Sequence, residues 1–427
     1  MDRGATQCRA CFSLDFSEQL FTLVRGCQLT MSYSGPIFDC DSHIHERDFS
    51  FFERFLPQEF HERWLLARKY GPDGRFGLHL GSRYLENSES NPDGLVPPPG
   101  RLKDWLRAMK AGKPMLDGWI QPTPDMDDSA ARLAKLDEFG VEGAMIFPGE
   151  ILAALAYLDD ERAGEAVLHA YNRYMHEKWG FNVQNRLYLA PFLPLWDIDR
   201  AYQQAQWLVG EGARAVVMPM GPYSGRAPAD PVFDPVFAVL NEASVAITFH
   251  IADCNFLHPM LRLWGERQFQ PRRRGQTAFT WMFGFSDLAA QMTLSSFVFY
   301  NFFERFPKIR LCSVENGAKW LPAFLEKMDL SRGMAKNGHW PCGQLKDRPS
   351  EIFKQHCFVV AYPEDKVASI VEAIGTDSCL LMGSDYPHAE GVPTPRDFAS
   401  EALGGLAPDQ IRRIMYDNGR RLMPPAA

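Results

Sequence analysis

Eight short apolar runs recur along the chain, nearly all of them separated by stretches whose apolar residues fall at helical spacing, and this alternation limits the folds open to it. The runs are Pro36–Asp41, Gly140–Pro148, Leu187–Phe192, Ala215–Met218, Val245–His250, Ile309–Val314, Cys357–Val360 and Cys379–Asp385. Helices are predicted between them over 129–139 (with Ser129 as N-cap), 152–180, 198–211, 234–243, 286–305, 319–328, 364–374 and 408–416. Strands joined through helices pair in parallel, because a parallel neighbour needs a long crossover. Eight of them predict a (β/α)8 TIM barrel. An open doubly wound sheet is the runner-up, but it usually carries a glycine-rich phosphate turn after its first strand, and none is present.

Two stretches break the rhythm. Residues 71–128 are rich in Gly, Pro, Asn and Asp, and residues 252–285 form a second long insertion. Insertions of this length in an apolar chain predict loops that roof a binding site. Their aromatics (Trp105, Trp119, Phe269, Phe279, Trp281, Phe283) would favour an apolar or aromatic acid, and a packed lid explains them equally well. After the first strand comes a segment with helix-like aromatic spacing, from Phe49 to Phe60 and then from Trp64 to Tyr70.

The barrel and its lids are expected to occupy residues 31–427, with 1–30 as an N-terminal extension or loosely ordered arm. Asp15, Glu18 and Arg25 interrupt the apolar part of that extension, which makes it a poor signal peptide, and no apolar run approaches a membrane span. The net charge of −8, from 45 Lys and Arg against 53 Asp and Glu, argues against nucleic acid or an anionic membrane as partner. A small-molecule substrate is expected instead. Arg272-Arg273-Arg274, the only basic cluster, reads as a solvated loop. Nine scattered cysteines read as reduced thiols of a cytoplasmic protein, and Cys8-x-x-Cys11 is half of a zinc pattern without its other half.

The ionisable residues fall where barrel chemistry sits, at the carboxyl ends of the strands. On the first strand Asp39, Asp41, His43 and His45 share one face. Buried together they need a counter-charge, and a divalent metal accepts deprotonated carboxylate and neutral imidazole at once. His250 closes the fifth run, Glu315 follows the sixth, and Asp385 ends the eighth, with His388 and Glu390 just beyond. Groups from four strands thus converge on one rim. On spacing alone, His43-x-His45 is as good a ligand pair as Asp41-x-His43.

Asp39-x-Asp41-x-His43 resembles the first-strand motif of the amidohydrolase superfamily. More closely it resembles the amidohydrolase-related branch that contains aminocarboxymuconate-semialdehyde, resorcylate and carboxyvanillate decarboxylases. Phe249-His250, Phe303-Glu304-Arg305-Phe306-Pro307, Val314-Glu315-Asn316-Gly317-Ala318-Lys319-Trp320-Leu321-Pro322 and Gly383-Ser384-Asp385-Tyr386-Pro387-His388 match further parts of that branch, so that the resemblance covers about 36–420. It implies a mononuclear site in which Asp41, His43, His250 and Asp385 hold a divalent metal, Zn²⁺ first, with Mn or Fe as alternatives. It also implies that Asp385 shuttles a proton, with His388 or Glu315 assisting, and that the chain is a homodimer. His45 and Glu46 are further candidates for a metal or substrate contact. Two departures from the branch stand out: the first ligand is Asp rather than His or Glu, and Glu315 stands where the decarboxylases place a proton-handling His. Glu315 can be a ligand, a base or a buried anchor for Lys319 or an Arg.

The expected function is therefore a metal-dependent hydrolase or decarboxylase acting on a small organic acid, aromatic acids included. The alternatives are a dinuclear iron or manganese oxygenase on the same barrel, recruiting Glu46, Glu315 or His388, and an inactive partner subunit.

Overall fold

The computed structural model describes residues 33–71, 74, 76–89, 92–112, 118–252, 257–266, 277–284 and 287–424. The expected extension 1–30 lies outside these, as do Phe269, Arg272-Arg273-Arg274 and the side chain of Trp281.

Twelve strands are present among the described residues. They are β1 (Ile37–His43), β2 (Leu66–Tyr70), β3 (Phe76–Leu80), β4 (Arg83–Glu89), β5 (Val141–Phe147), β6 (Asn182–Val183), β7 (Leu187–Leu189), β8 (Ala215–Val217), β9 (Ala246–His250), β10 (Leu311–Val314), β11 (Cys357–Val360) and β12 (Leu380–Leu381). Parallel pairing links β1 to β5 and β5 to β7, and a second parallel run links β8, β9, β10, β11 and β12 in that order. Two parallel bridges, Phe192 with Val217 and Ser42 with Tyr386, join the two runs into a closed ring of eight strands. Every residue of β1 is buried, as are all those of β8, β9, β10 and β11, so the barrel interior is the core. The eight predicted strands are the eight of the ring.

Helices wrap the ring as the alternation requires, among them Ser129–Phe139, Glu161–Trp179, Ile198–Gly210, Asp234–Glu242 and Leu321–Met334. Small differences have local causes. Asp128, not Ser129, caps its helix, its carboxylate accepting from Ala131 N. The helix predicted over 286–305 is two helices, Leu288–Phe299 and Phe302–Arg305, broken at Asn301, whose φ is 49°.

The seam between β1 and β12 is where the ring closes. Cys40 N donates to Met382 O (3.2 Å), Asp385 N to Asp41 O (2.8 Å) and His43 N to Tyr386 O (2.7 Å). Asp39 staples the same seam with its side chain: Oδ1 accepts from Ser384 N at 2.9 Å and from Asp41 N at 3.2 Å, and Oδ2 accepts from Ser384 Oγ at 2.5 Å. Gly383 allows this closeness, since a Cβ there would lie 2.5 Å from the Cβ of Asp41.

The first insertion is more ordered than its composition suggests. β2, β3 and β4 form an antiparallel sheet, and a helix follows at Leu102–Lys110. The helix-like reading of Trp64–Tyr70 is corrected here. Pro57 stands just past the end of the helix Phe51–Phe55. Leu66–Tyr70 instead pairs with Phe76–Leu80 across a turn containing Gly71 and Gly74. The insertion is tied to the loop after β12 by Gly100 N to His388 O (3.0 Å) and Leu102 N to Ala389 O (2.8 Å).

Asp39→Ala would strand three buried donors at the seam. It is expected to lower the stability of the metal-free protein by about 2–4 kcal/mol in urea unfolding, since each buried donor left unmade costs about 1–3 kcal/mol and neighbours compensate in part. A loss under about 0.5 kcal/mol would show that backbone pairing alone holds the seam.

Candidate metal centre

Alternation along β1 points Asp41 and His43 to one side, and β9 ends on His250 directly across the mouth. His43 Nε2 and His250 Nε2 face each other at 3.2 Å. Each ring is fixed from behind: His43 Nδ1 lies 2.8 Å from Pro148 O, and His250 Nδ1 lies 3.0 Å from Ile251 O. A carbonyl only accepts, so each Nδ1 carries a proton, and in their neutral form the two rings aim Nε2 lone pairs at one another. Asp41 Oδ1 sits 3.3 Å from His43 Nε2 and 3.6 Å from His250 Nε2, and it is buried without a hydrogen-bond partner. Such a set is self-repelling as protein alone and complementary to a divalent cation.

Carboxylates surround the pair. Asp385 Oδ1 lies 3.5 Å from His43 Nε2, and Glu315 Oε2 lies 3.5 Å from His250 Nε2. Ligand atoms of Asp41, His43, His250 and Glu315 all fall within 4.8 Å of one another, and so do those of His43, Asp385 and His388 and those of Glu315, Asp385 and Glu390. The titration of these groups tells the same story. Burial pushes both the Glu315 and Asp385 carboxyls well above the usual range; repulsion from Asp385, Asp41 and Glu390 adds to it at Glu315, and repulsion from Asp41, Glu390 and Asp39 adds to it at Asp385. Burial draws the His43 imidazole down to about 3. Burial also opposes charge on His250, yet Asp41 and Glu315 outweigh it and raise that ring's pKa. Burial likewise opposes ionisation of Asp41, but the two imidazoles beside it hold its carboxyl below the usual range. The centre demands positive charge between these side chains, and its oxygen and nitrogen donors fit a divalent metal.

Asp385 and Glu315 both stand at strand ends in the left-handed region, with φ of 56° and 55°. Non-glycine residues there are uncommon and cluster at functional sites. His388 completes the rim. Its Nδ1 is 2.7 Å from Asp385 Oδ1, and its ring stacks on His43 with centroids 4.1 Å apart.

The other candidates are placed differently. His45 lies outside the metal-donor group and lines the cavity above it, where burial pulls its pKa down to about 3. Glu46 is turned away and fully engaged: it accepts from Gly149 N (3.1 Å), Glu150 N (2.9 Å) and the Tyr171 hydroxyl. A buried carboxylate with three donors is an anchor for the turn after β5, which corrects its reading as a ligand or substrate contact. Glu315 is no anchor for Lys319, whose ammonium pairs with Asp365 at 3.5 Å. The carbonyls of Pro148 and Ile251, which set the imidazole tautomers, left no signal in the sequence because any residue supplies one.

The cavity has a volume of about 650 Å³. His43, His250, Glu315 and His388 form part of its floor, and Phe49, Leu66, Val96, Trp119, Met126 and Leu152 are among its apolar lining. Of the lid aromatics named from sequence, Trp119 reaches it, stacked on buried Trp105 at 6.1 Å, whereas Phe279 packs on Phe283 and Trp264. The described cysteines, Cys40, Cys312, Cys342, Cys357 and Cys379, are free, and no helix among the described residues is long and apolar enough to cross a membrane.

A closed eight-stranded barrel with imidazoles and carboxylates converging on its carboxyl rim defines a metal-dependent enzyme. The amidohydrolase family model matches residues 40–424, and the chain belongs to that family. Among solved structures, an amidohydrolase from Mycobacterium avium subsp. paratuberculosis K-10 is 26% identical with a TM-score of 0.75, covering 92% of this chain and 100% of that one. 5-Carboxyvanillate decarboxylase from Sphingomonas paucimobilis is 15% identical with a TM-score of 0.56, covering 92% and 99%. A dihydroxybenzoic acid decarboxylase from Polaromonas sp. JS666, with bound manganese and the inhibitor 2-nitroresorcinol, is 13% identical with a TM-score of 0.54, covering 91% and 97%. These last two share the fold. No curated protein sequence matches the chain.

His45 is neutral when folded and protonates near its ordinary value of about 6.5 when unfolded. The unfolded state therefore binds more protons between about pH 3 and 6.5, and stability falls as pH falls through that window. His45→Gln is expected to remove up to one proton's worth of that slope, about 1.4 kcal/mol per pH unit, in unfolding measured across pH. An unchanged slope would place His45 in contact with water.

Proposed function

We propose that this chain is a mononuclear metal-dependent decarboxylase of a hydroxylated aromatic acid, with Asp41, His43, His250 and Asp385 as the metal ligands. The observation that carries the reading is the pair of Nε2 atoms facing each other at 3.2 Å beside the unpartnered Asp41 Oδ1. The aromatic-acid class is supported by the apolar side chains in part of the cavity wall, Trp119 among them, and by the substrates in the names of the two decarboxylases. Zinc is the ion first expected; the manganese in the Polaromonas enzyme supports manganese as its rival.

When bound, the metal supplies a Lewis acid that holds and polarises substrate oxygens. The chain does the rest. The lid and the apolar wall exclude water and orient the ring. His388 Nδ1, 2.7 Å from Asp385 Oδ1, supplies through Asp385 the proton that the ring carbon gains as it loses the carboxylate. The carbon–carbon bond breaks, its electron pair stays on the ring, carbon dioxide leaves and a C–H bond forms. His388, hydrogen-bonded to Asp385 and reaching the cavity, returns a proton to Asp385 Oδ1. Glu315 stands 3.5 Å from His250, its carboxyl pushed up by burial, at the position where the resembling decarboxylases use a histidine.

Hydrolysis of a small acid uses the same centre, and Glu315 in place of an imidazole is the feature that favours it. Elemental mass spectrometry on protein purified without added metal is expected to give about one zinc or manganese per chain. Two metals with iron among them would point to the oxygenase, and no uptake on reconstitution to an inactive subunit. The metal-loaded protein is then expected to release carbon dioxide from one or more hydroxybenzoates. Asp385→Asn should lower kcat by about 10²–10⁴-fold, and the metal content of the variant separates loss of the proton from loss of the ligand. A homodimer in the cytoplasm belongs to the same proposal, and light scattering at micromolar concentration checks the dimer.

A further inference from the structure

Arg132, on the helix Ser129–Phe139, is wholly buried. All three of its guanidinium nitrogens donate: Nε to Asp125 O at 2.7 Å, Nη1 to Ser42 Oγ at 2.8 Å and Nη2 to His43 O at 2.7 Å. These bonds all end on neutral oxygens. Its guanidinium carbon also lies 5.1 Å from the centroid of the Tyr386 ring and 5.8 Å from that of Trp179. Asp125 and Asp39 act on it only at longer range and none of its donors ends on a carboxylate, so burying the cation costs free energy that an apolar side chain of similar volume would avoid. What the guanidinium adds is direction, because its donors form a rigid planar fork.

The fork grips the last two residues of β1 and the turn by which the first insertion returns to the barrel. Ser42 passes the contact on, since its Oγ donates to Tyr386 O at 3.0 Å. His43 N donates to the same carbonyl at 2.7 Å. The backbone of His43 is thus held through both its N–H and its carbonyl, and its ring is held from behind by Pro148 O. Tyr386 directly follows Asp385, so one guanidinium sets the spacing between a ligand on β1 and a ligand after β12.

We propose that Arg132 is a positioning residue for the metal centre: it fixes where His43 Nε2 points and how far it stands from Asp385. The inference rests on the metal-site reading above. A residue that only fills the core would affect unfolding and leave metal geometry alone.

The test uses the full-length apoprotein titrated with Co²⁺, with chelator competition for affinity, visible absorption for coordination geometry, and thermal unfolding of the metal-free protein alongside. Arg132→Met and Ser42→Ala are each expected to bind Co²⁺ roughly 10- to 100-fold more weakly, with a changed absorption band. Arg132→Lys should restore only part of the affinity, because one ammonium cannot span three acceptors in fixed directions. If Arg132→Met does not fold, Ser42→Ala decides, since it keeps the guanidinium and two of its acceptors. Wild-type affinity and spectrum in Ser42→Ala and in any folded Arg132→Met would overturn the inference while leaving the metal site standing. Failure of the wild-type protein to take up Co²⁺ would overturn the metal-site reading and this inference with it.

Discussion

Two imidazoles that cannot turn away from each other govern this structure. Because Pro148 O and Ile251 O claim the Nδ1 protons, His43 and His250 present bare nitrogens to a common point, and Asp41 presents a bare oxygen there. Neither ring can relax by changing tautomer without stranding a buried carbonyl. The site is therefore organised by hydrogen bonds made behind it. Those bonds come from the residues that follow β5 and β9, so the register of neighbouring strands is part of the chemistry.

The same economy appears at the seam. A barrel must close somewhere, and here it closes between the first strand and the last, so that Asp41 and Asp385 become neighbours through a backbone hydrogen bond. Asp39, one position back on the same face as Asp41, spends its carboxylate on Ser384. Identical side chains two residues apart thus take opposite duties: one completes the wall, the other faces the mouth. Their fates follow from the donors within reach, since Asp39 meets three and Asp41 Oδ1 meets none.

Much of this was legible in the sequence. The eight barrel strands follow from their apolar runs, because a buried parallel strand has both faces apolar and is flanked by helices. The placement of Asp41, His43, His250, Glu315 and Asp385 on one rim followed once those strands were numbered. Ambiguity remained where only three-dimensional neighbours decide. Spacing could not separate Asp41-x-His43 from His43-x-His45, and the position of β9 brings His250 to the former pair. Glu46 looked like one more acid beside a ligand motif until Tyr171 and the turn after β5 were seen to occupy it. Arg132 was invisible, because a lone arginine in an amphipathic helix reads as part of its solvated face. The hairpin β2–β3 was missed because its aromatics mimic helical spacing.

The roof of the cavity is fastened to the loop after β12 through main-chain atoms, Gly100 to His388 and Leu102 to Ala389. Side chains take no part in those two bonds. Apart from Gly100, where a Cβ would lie 2.4 Å from Pro393 N, substitutions in the insertion leave these two bonds intact, and the loop that carries His388 stays in register beneath them. A lineage built on this scaffold could change what it recognises by altering the ceiling alone, while the floor keeps its reaction.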